Sequence, residues 1–287
     1  MKKSISQIEM ISLEELVPSN HIYRRFDDLW DFSAIKKELD RIELDSDHKG
    51  FGIFRLFLSL LLQFTEDLSD RELERYLSEN NSAKWFCNFG LVDKTPNYRV
   101  FTNARKRIGT KKLSKIFNVL RDQLKQQGCM SEVFTFIDAS HLISKASLWD
   151  ERDKAIAAKY EKLNNKILPK FARDKEANFG CKGGNKFWYG FKKHTSVDMQ
   201  SGMINKVAIT QASVMDSKGM KHVVPSQGAV YVDKGCCDKN AKSACSKRGI
   251  HLAAIKKNNM KTKNKDLDNF YCKMRSPYER VFSKTNH

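Results

Sequence analysis

The chain has 287 residues, and 40% of them are hydrophobic, which is enough for one large domain or two smaller ones and excludes wholesale disorder. The formal net charge is +18 and is uneven, because residues 1–100 hold 14 Lys and Arg against 18 Asp and Glu, whereas residues 101–287 hold 38 against 16. The seven cysteines include no CxxC pair and no apolar signal-peptide stretch follows the first residues, which argues against a zinc ribbon, a disulfide framework and secretion, and predicts a cytoplasmic protein.

The basic part of the chain predicts a polyanionic partner. A basic excess confined to one part of a sequence is typical of proteins that bind nucleic acid, and an acidic membrane surface is the alternative. The longest apolar run, residues 51–64, is too short to cross a membrane and contains Arg55, so it predicts a buried helix instead. Nucleic acid is therefore the favoured partner.

Residues 1–128 predict a helical N-terminal domain. In the segment "LSDRELERYLSEN", Ser69 and Glu72 have the spacing of a capping box, which marks the start of a helix. A second helix is predicted to have Thr95 as its N-cap and to run to Gly109. A third, amphipathic helix follows and is predicted to end at Gly128.

The helix predicted before Gly109 carries basic side chains, among them Arg105 and Arg107, on or near its exposed side. Together with the helix before it, across the loop at residues 88–94, it could form a helix-turn-helix whose second helix contacts DNA. A solvated basic face explains the same arginines equally well. The sequence leaves these two interpretations open.

Beyond residue 128 the pattern predicts a mixed α/β domain, residues 129–287. Its order is a strand, a hairpin of two strands, a helix, a strand, a helix, a strand and a final helix, which is the order of an RNase H-like mixed sheet with flanking helices. A polar, lysine-rich insertion with one helix-like segment interrupts it at about residues 144–187. Asp216 is expected to cap its helix, and Pro277 to lie near the start of the last one. The predicted strands are residues 133–140, 187–198, 202–212, 229–235 and 250–257.

Two of these strands run from apolar residues directly into an aspartate, Asp138 or Asp233. A carboxylate at the end of a strand is either a turn cap or a reactive group held by a rigid scaffold. In this fold the two strands lie side by side and their carboxyl ends meet at one crevice, so the two carboxylates are expected to lie together. His194, on a neighbouring strand, is a candidate for the same site or for a phosphate contact, although a packed histidine is the more common case.

The last predicted helix supplies a third acid. The segments "FIDAS", "YVDKG" and "RSPYERVF", which contain Asp138, Asp233 and Glu279, resemble the three acidic motifs of bacterial insertion-sequence DDE transposases, particularly the InsH-like group. Residues 68–91 resemble the N-terminal helical domain of those enzymes, and the likeness covers residues 45–287. The resemblance implies a Mg-dependent DNA transposase, a polynucleotidyl transferase that binds element ends and cleaves and joins DNA strands.

The resemblance also implies that Asp138, Asp233 and Glu279 are catalytic and hold two Mg²⁺ ions, for which Mn²⁺ could substitute. Asp138 would bridge both ions, and each of the other acids would hold one. Two such ions, about 3.5–4 Å apart, clamp the attacking and leaving oxygens of a phosphodiester and neutralise the developing charge. They would activate water for cleavage and then a 3′-hydroxyl for joining, without a covalent protein intermediate.

Arg275, four residues before Glu279, is implied by the resemblance to bind a DNA phosphate. The family pattern is Tyr, Arg, Glu and Lys; Arg275 and Glu279 match it, whereas Cys272 and Asn286 stand at the other two positions. A solvated face or an ion pair with Glu279 is the alternative for Arg275. Lys234 and Lys182 are further expected phosphate contacts, although the many lysines of the chain give no reason to single out either one. The expected partners are double-stranded element ends and target DNA, bound by a homodimer in the bacterial nucleoid.

The chain continues for only eight residues after Glu279, so the last helix is expected to be truncated and to fray. A displacement of about 1 Å at a reacting group can cost on the order of a hundredfold in rate. One alternative function is therefore a catalytically inactive, DNA-binding remnant of a transposase. A related nuclease without joining activity is another, and assays of metal-dependent nicking and strand transfer distinguish them.

Overall fold

A computed structural model describes most of the chain. The described residues are 10–44, 50–144, 174–182, 186–257, 260 and 264–278. The chain forms two compact units, residues 1–126 and residues 127–287. The first unit is helical, and the second contains a mixed sheet with helices.

The N-terminal unit consists of helices around one apolar core. The helices are α1 Leu13–Leu16, α2 Ile22–Leu29, α3 Ser33–Leu44, α4 Ile53–Thr65, α5 Asp70–Glu79, α6 Asn81–Phe86 and α7 Tyr98–Gln126. Helix α4 is the buried helix predicted from its apolar run, and its Leu58 and Leu62 share one core with hydrophobic residues of α3, α5 and α7. In the described parts of the chain, no helix is long and apolar enough to cross a membrane.

The start of α5 is as predicted, whereas the start of α7 is not. Ser69 and Glu72 form the capping box: the Ser69 N–H donates to the Glu72 carboxylate (2.8 Å), and the Glu72 N–H donates to Ser69 Oγ (3.4 Å). Helix α7 begins later than the prediction from Thr95, because Asn97 Oδ1 accepts two N–H groups of its first turn, at 3.1 and 3.4 Å. Gly109, with a φ of +69°, interrupts α7 at the residue where the sequence predicts a helix end.

The C-terminal unit contains one mixed sheet. Its described strands are β1 Phe134–Ile143, β2 Asn178–Lys182, β3 Lys186–Asp198, β4 Ile204–Gln211, β5 Ala229–Val232 and β6 His251–Ala254. They lie in the order β2, β3, β1, β5, β6, and β4 also pairs with β3, beyond the part of β3 that pairs with β2. Strand β3 is antiparallel to β1, β2 and β4, whereas β1, β5 and β6 are parallel. The predicted mixed α/β class is therefore confirmed.

Helices and apolar layers cover both faces of this sheet. The helices are α8 Asp216–Gly219, α9 Lys239–Ser246 and α10 Lys265–Arg275, and 3₁₀ turns span Met220–His222, Lys234–Cys236 and Ser276–Tyr278. On one face, Ile137 packs in a cluster with Ala241 of α9. On the other face, Phe136 and Tyr231 pack against Tyr271 of α10. Because successive strand residues point to opposite faces, the side that each residue of β1 and β5 occupies is fixed by these clusters.

Several local predictions are wrong. Part of the predicted insertion forms β2, which pairs with β3. Among the residues that the structure describes, no side chain caps α8, and the Asp216 carboxylate instead pairs with Lys192 at 2.8 Å. Helix α10 begins earlier than predicted, because Asn264 caps it, and Pro277 follows its end in a 3₁₀ turn. The helix-like segment of the insertion, and the chain after residue 278 with Glu279 and its predicted short helix, lie outside the described residues.

Candidate active site

Two parallel strands place Asp138 and Asp233 beside each other. The parallel ladder between β1 and β5 ends at Ile137 and Val232, and the two aspartates are the next residues. Asp233 keeps an extended backbone (φ −75°, ψ 169°), so the alternation of β5 continues through it. Both carboxylates therefore lie on the sheet face that α10 covers. We call these two residues the acid pair.

Asp138 does not end its strand, contrary to the prediction. Strand β1 continues to Ile143, because it remains paired with β3 as far as Gly190. Only the pairing with β5 stops before Asp138. An unbroken antiparallel ladder therefore holds the backbone of Asp138 on one side, while its other side borders the end of β5. A carboxylate held in this way moves less than one at a fraying strand end.

The carboxylate of Asp138 is half-buried and close to a second negative charge. Burial raises its pKa, and the charge of Asp233 raises it as well. The Ala139 N–H, which donates to Asp138 Oδ1 at 2.8 Å, and the cationic side chains of Arg275 and Lys182 oppose this rise in pKa. When two neighbouring carboxylates repel each other in a partly desolvated site, a nearby cation stabilises their charged forms.

Arg275 brings a positive charge to the acid pair. Its Nη1 lies 2.9 Å from Asp233 Oδ1, and its guanidinium lies 5.9 Å from the centre of the Phe136 ring. The contact with the ring is a cation–π interaction on the same sheet face. Arg275 is the last residue of α10, so the position of this helix end places the guanidinium next to the acid pair. The ion pair seen for Arg275 is with Asp233, whereas the sequence-based alternative named Glu279, which lies outside the described residues.

The structure does not bring His194 to the acid pair. The register of β1 with β3 places Thr195 opposite Asp138 and His194 opposite Ala139, so the imidazole lies on the other face of the sheet. His194 is 1% exposed, and its Nε2 lies 2.8 Å from Thr210 Oγ1. Burial lowers its pKa. These contacts are those of a packed histidine, the more common of the two roles considered from the sequence.

The other predicted DNA contacts lie in different places. Lys234 is exposed next to the acid pair, and its backbone N–H donates to Asp233 Oδ1 at 2.6 Å. Arg105, on α7, forms an ion pair within the N-terminal unit: its Nη1 lies 3.0 Å from Asp70 Oδ2. This guanidinium lowers the pKa of Asp70 to about 2. Arg107 is exposed on the same helix.

Lys182 lies at the end of β2, a strand that the sequence does not predict, and its charge acts on Asp138 of the acid pair. Its positive charge opposes the rise in the pKa of Asp138, and its side chain is exposed. The sequence signal for this placement is weak, because β2 has only five residues and its burial does not alternate. The basic composition alone gives no reason to choose Lys182 among the many lysines.

The third predicted acid, Glu279, lies outside the described residues. Within the part of the chain that the structure describes, no three or more His, Cys, Asp or Glu side chains are grouped so that they could hold a metal ion. The acid pair itself offers carboxylate oxygens, the donors that Mg²⁺ prefers. Its two negative charges already lie beside the guanidinium of Arg275. The donor chemistry and the charge of the acid pair therefore fit a divalent cation.

Comparisons with known protein families give two matches, both to transposase domains. Residues 11–107 match a family model described as Transposase domain (DUF772), and residues 152–286 match one described as Transposase DDE domain. The second match begins after Asp138 and includes Asp233 and Glu279. No curated protein matches the chain.

Among solved structures, the chain is similar to a piggyBac transposase in a cryo-EM structure of its synaptic complex with hairpin DNA. The identity is 13% and the TM-score is 0.36, over 83% of this chain and 51% of the other. The chain thus spans about half the length of the piggyBac chain that it matches.

Proposed function

Because the chain belongs to the insertion-sequence DDE transposases, as its two family matches indicate, we propose that it binds the ends of its element, cleaves the DNA strands and transfers them to a target. The observation that carries this proposal is the position of Asp138 and Asp233 on neighbouring parallel strands, with both side chains on one sheet face. Acids gathered on a rigid scaffold are what metal-dependent phosphoryl transfer requires. Within this proposal we assign the chain to the InsH-like group, because its three acidic motifs resemble those of that group.

The proposed fold of residues 129–287 is RNase H-like. The order of strands supports it: β4, β3 and β1 are antiparallel, and β5 and β6 continue the sheet parallel to β1. The helices support it too, because α9 packs on one face and α10 on the other. In such a sheet a crevice opens where β5 and its pairing with β1 end, and the acid pair lies there.

Asp138, Asp233 and Glu279 form the proposed catalytic centre and would hold two Mg²⁺ ions, or Mn²⁺ in their place. When bound, these ions activate the attacking oxygen and stabilise the leaving oxygen of a phosphodiester. The chain contributes by holding its carboxylates still. The ladder with β3 fixes the backbone of Asp138, and the Lys234 N–H orients the carboxylate of Asp233.

Arg275 has two roles in this proposal. Without a cation, its guanidinium compensates the charge of Asp233 through their ion pair. Asp233 would exchange this pair for a bound cation, and the guanidinium of Arg275, whose planar set of donors suits a phosphate, would then contact a DNA phosphate. Lys182 and Lys234, both exposed near the acid pair, contact the DNA backbone on the same side.

The N-terminal unit is the proposed DNA-end-binding part, with α7 as the helix that contacts DNA. Arg107 is exposed on α7, whereas Arg105 contributes through the part of its guanidinium that the ion pair with Asp70 leaves accessible. The partners are double-stranded element ends and target DNA. Since an element has two ends, the proposed active form is a homodimer on DNA, in the bacterial nucleoid.

Nicking of an element-end DNA duplex by the full-length chain, with Mg²⁺ or Mn²⁺, tests this function. The Asp138→Asn variant should lose more than about 100-fold in nicking rate, because changes even to the second layer of a metal site cost about 10–100-fold. The Asp216→Asn variant is the matched control. Its carboxylate pairs with Lys192 and takes no part in the proposed centre, so this variant should keep its activity.

Each other outcome rejects part of the proposal. If the wild-type chain binds the duplex but does not nick it with either metal, the inactive remnant is the correct interpretation. Nicking without strand transfer indicates a nuclease. Equal nicking by the wild type and by the Asp138→Asn variant shows that the acid pair is not the catalytic centre.

A further inference from the structure

A groove of about 870 Å³ opens between helix α9 and strand β6, and we call it the α9–β6 groove. Residues of α9 line one side of the groove, and residues of β6 and of the segments just before and after it line the other side. The groove is lined by Cys237, Asp238, Lys239, Lys242, Cys245, Ser246, Ile250, His251, Leu252, Ala254, Lys256, Lys257 and Met260. No part of the acid pair belongs to it.

The floor of the α9–β6 groove is apolar. Leu252 and Ala254 lie on β6, and Ile250 directly precedes it. Because these three residues are spaced two apart, their side chains point to one sheet face. They pack in the cluster that contains Ala241 of α9, which places them on the face that α9 covers. Ile250 is buried, but Leu252 and Ala254 are only half-buried, because the described part of the chain, α9 included, does not cover this margin of the sheet. In α/β domains, such a margin is a surface on which a further helix packs.

The rim of the α9–β6 groove is basic on both sides. Lys239 and Lys242 are exposed and one turn apart on α9, and Lys256 and Lys257 follow β6 on the other side. Among the described residues that line the groove, only Asp238 is acidic. Its carboxylate is already used as the cap of α9, where it accepts an N–H of the first turn at 3.0 Å. A ligand in this groove therefore meets mainly positive charge around an apolar centre.

We propose that the α9–β6 groove binds an acidic, amphipathic α-helix of a partner protein. Apolar side chains at helical spacing pack on Leu252 and Ala254, and carboxylates on both flanks of the helix pair with the rim lysines. A DNA backbone would also meet the lysines, but it would leave the apolar floor without a contact. The combination of floor and rim therefore favours a helix over nucleic acid. This site goes beyond the proposed cleavage and transfer of DNA.

The probe is a labelled helical peptide with one stripe of leucines and glutamates on its other faces, titrated with the full-length chain by fluorescence anisotropy. The Lys239→Glu/Lys242→Glu variant should bind at least about tenfold more weakly, because two attractive charges become repulsive. The Leu252→Gln variant should also bind more weakly, although the charge of the rim is unchanged. The Lys218→Glu/Lys221→Glu variant is the matched control, since it changes the same charge at two exposed lysines that do not line the groove, and it should keep the affinity.

A peptide of the same composition with a scrambled order, which breaks the leucine stripe, should not bind. Circular dichroism checks that each variant is folded. Equal binding of both peptides, or an equal loss in the control variant, would mean general charge attraction and would overturn the proposal. The proposal is also wrong if duplex DNA displaces the peptide and the groove variant, but not the control, loses affinity for DNA.

Discussion

Replacing Arg275 by glutamine tests whether this arginine competes with cations for the acid pair. In the structure its guanidinium forms an ion pair with Asp233 and lies over Phe136. The Arg275→Gln variant keeps a polar side chain and removes the positive charge. We expect this variant to bind Mn²⁺ more tightly than the wild type, because Asp233 no longer gives up an ion pair when it ligates the metal.

The size of this effect follows from how exposed the ion pair is. Two unit charges 4 Å apart interact by about 4 kcal/mol at an effective dielectric constant of 20 and by about 1 kcal/mol in bulk water. The side chain of Arg275 is 20% exposed and that of Asp233 is 53% exposed, so water screens the pair strongly. Measured ion pairs of this exposed kind contribute about 0.2–1 kcal/mol. We therefore expect a gain of about 1 kcal/mol, which is about fivefold in the Kd for Mn²⁺.

Electron paramagnetic resonance of free Mn²⁺ measures this Kd without DNA and without catalysis. Lys273→Gln is the matched control, because Lys273 is exposed on the same helix but lies two residues earlier and so points in a different direction. Its Kd should change less than that of the Arg275→Gln variant. Mn²⁺ binding that is unchanged or weaker in a folded Arg275→Gln variant would refute the competition.

Two further predictions concern stability. The Gly219→Ala variant should lose about 1–3 kcal/mol of its free energy of unfolding, because a Cβ at this position would overlap the ring of His194. Thermal denaturation measures this loss. Gly235→Ala, where a Cβ would have no atom of the described residues within 4 Å, should change little. Arg105→Gln should lower the free energy of unfolding by about 1 kcal/mol at neutral pH. This value is small because water screens the partly exposed ion pair of Arg105 with Asp70. Since this pair lowers the pKa of Asp70 from 3.8 to about 2, the stabilisation is present above pH 3.8 and is lost as the pH falls towards 2. The difference between variant and wild type in urea denaturation should therefore shrink at acidic pH, and a constant difference would contradict this assignment.

The sequence predicts five of the strands, because each contains a run of apolar or alternating residues long enough to be recognised. Strand β2 is missed for a physical reason. It contains Gly180 and ends on the exposed Lys182, so its composition does not favour a strand. It forms because β3 is long enough to pair with it beyond the part that pairs with β4. Such a strand depends on its neighbour more than on its own residues.

The two aspartates of the acid pair are predictable, whereas their surroundings are not. The order of strands alone indicates that β1 and β5 are neighbours, and hence that Asp138 and Asp233 meet. The ion pair of Asp233 with Arg275 depends on where α10 ends above the sheet, which no local pattern encodes. The face of His194 depends on the register between β1 and β3, because a shift of one residue would reverse it.

The same dependence on register explains why two carboxylates that repel each other lie together. Phe136 and Tyr231 are partners in the parallel ladder of β1 and β5, and both are buried in the cluster against α10. A slip of one residue in β1 would turn Phe136 to the opposite face and would move Asp138 away from Asp233. Burial of a phenylalanine side chain contributes about 1.5–3 kcal/mol, more than an exposed ion pair contributes. The apolar residues next to the acids therefore fix the register, and the register fixes the acid pair.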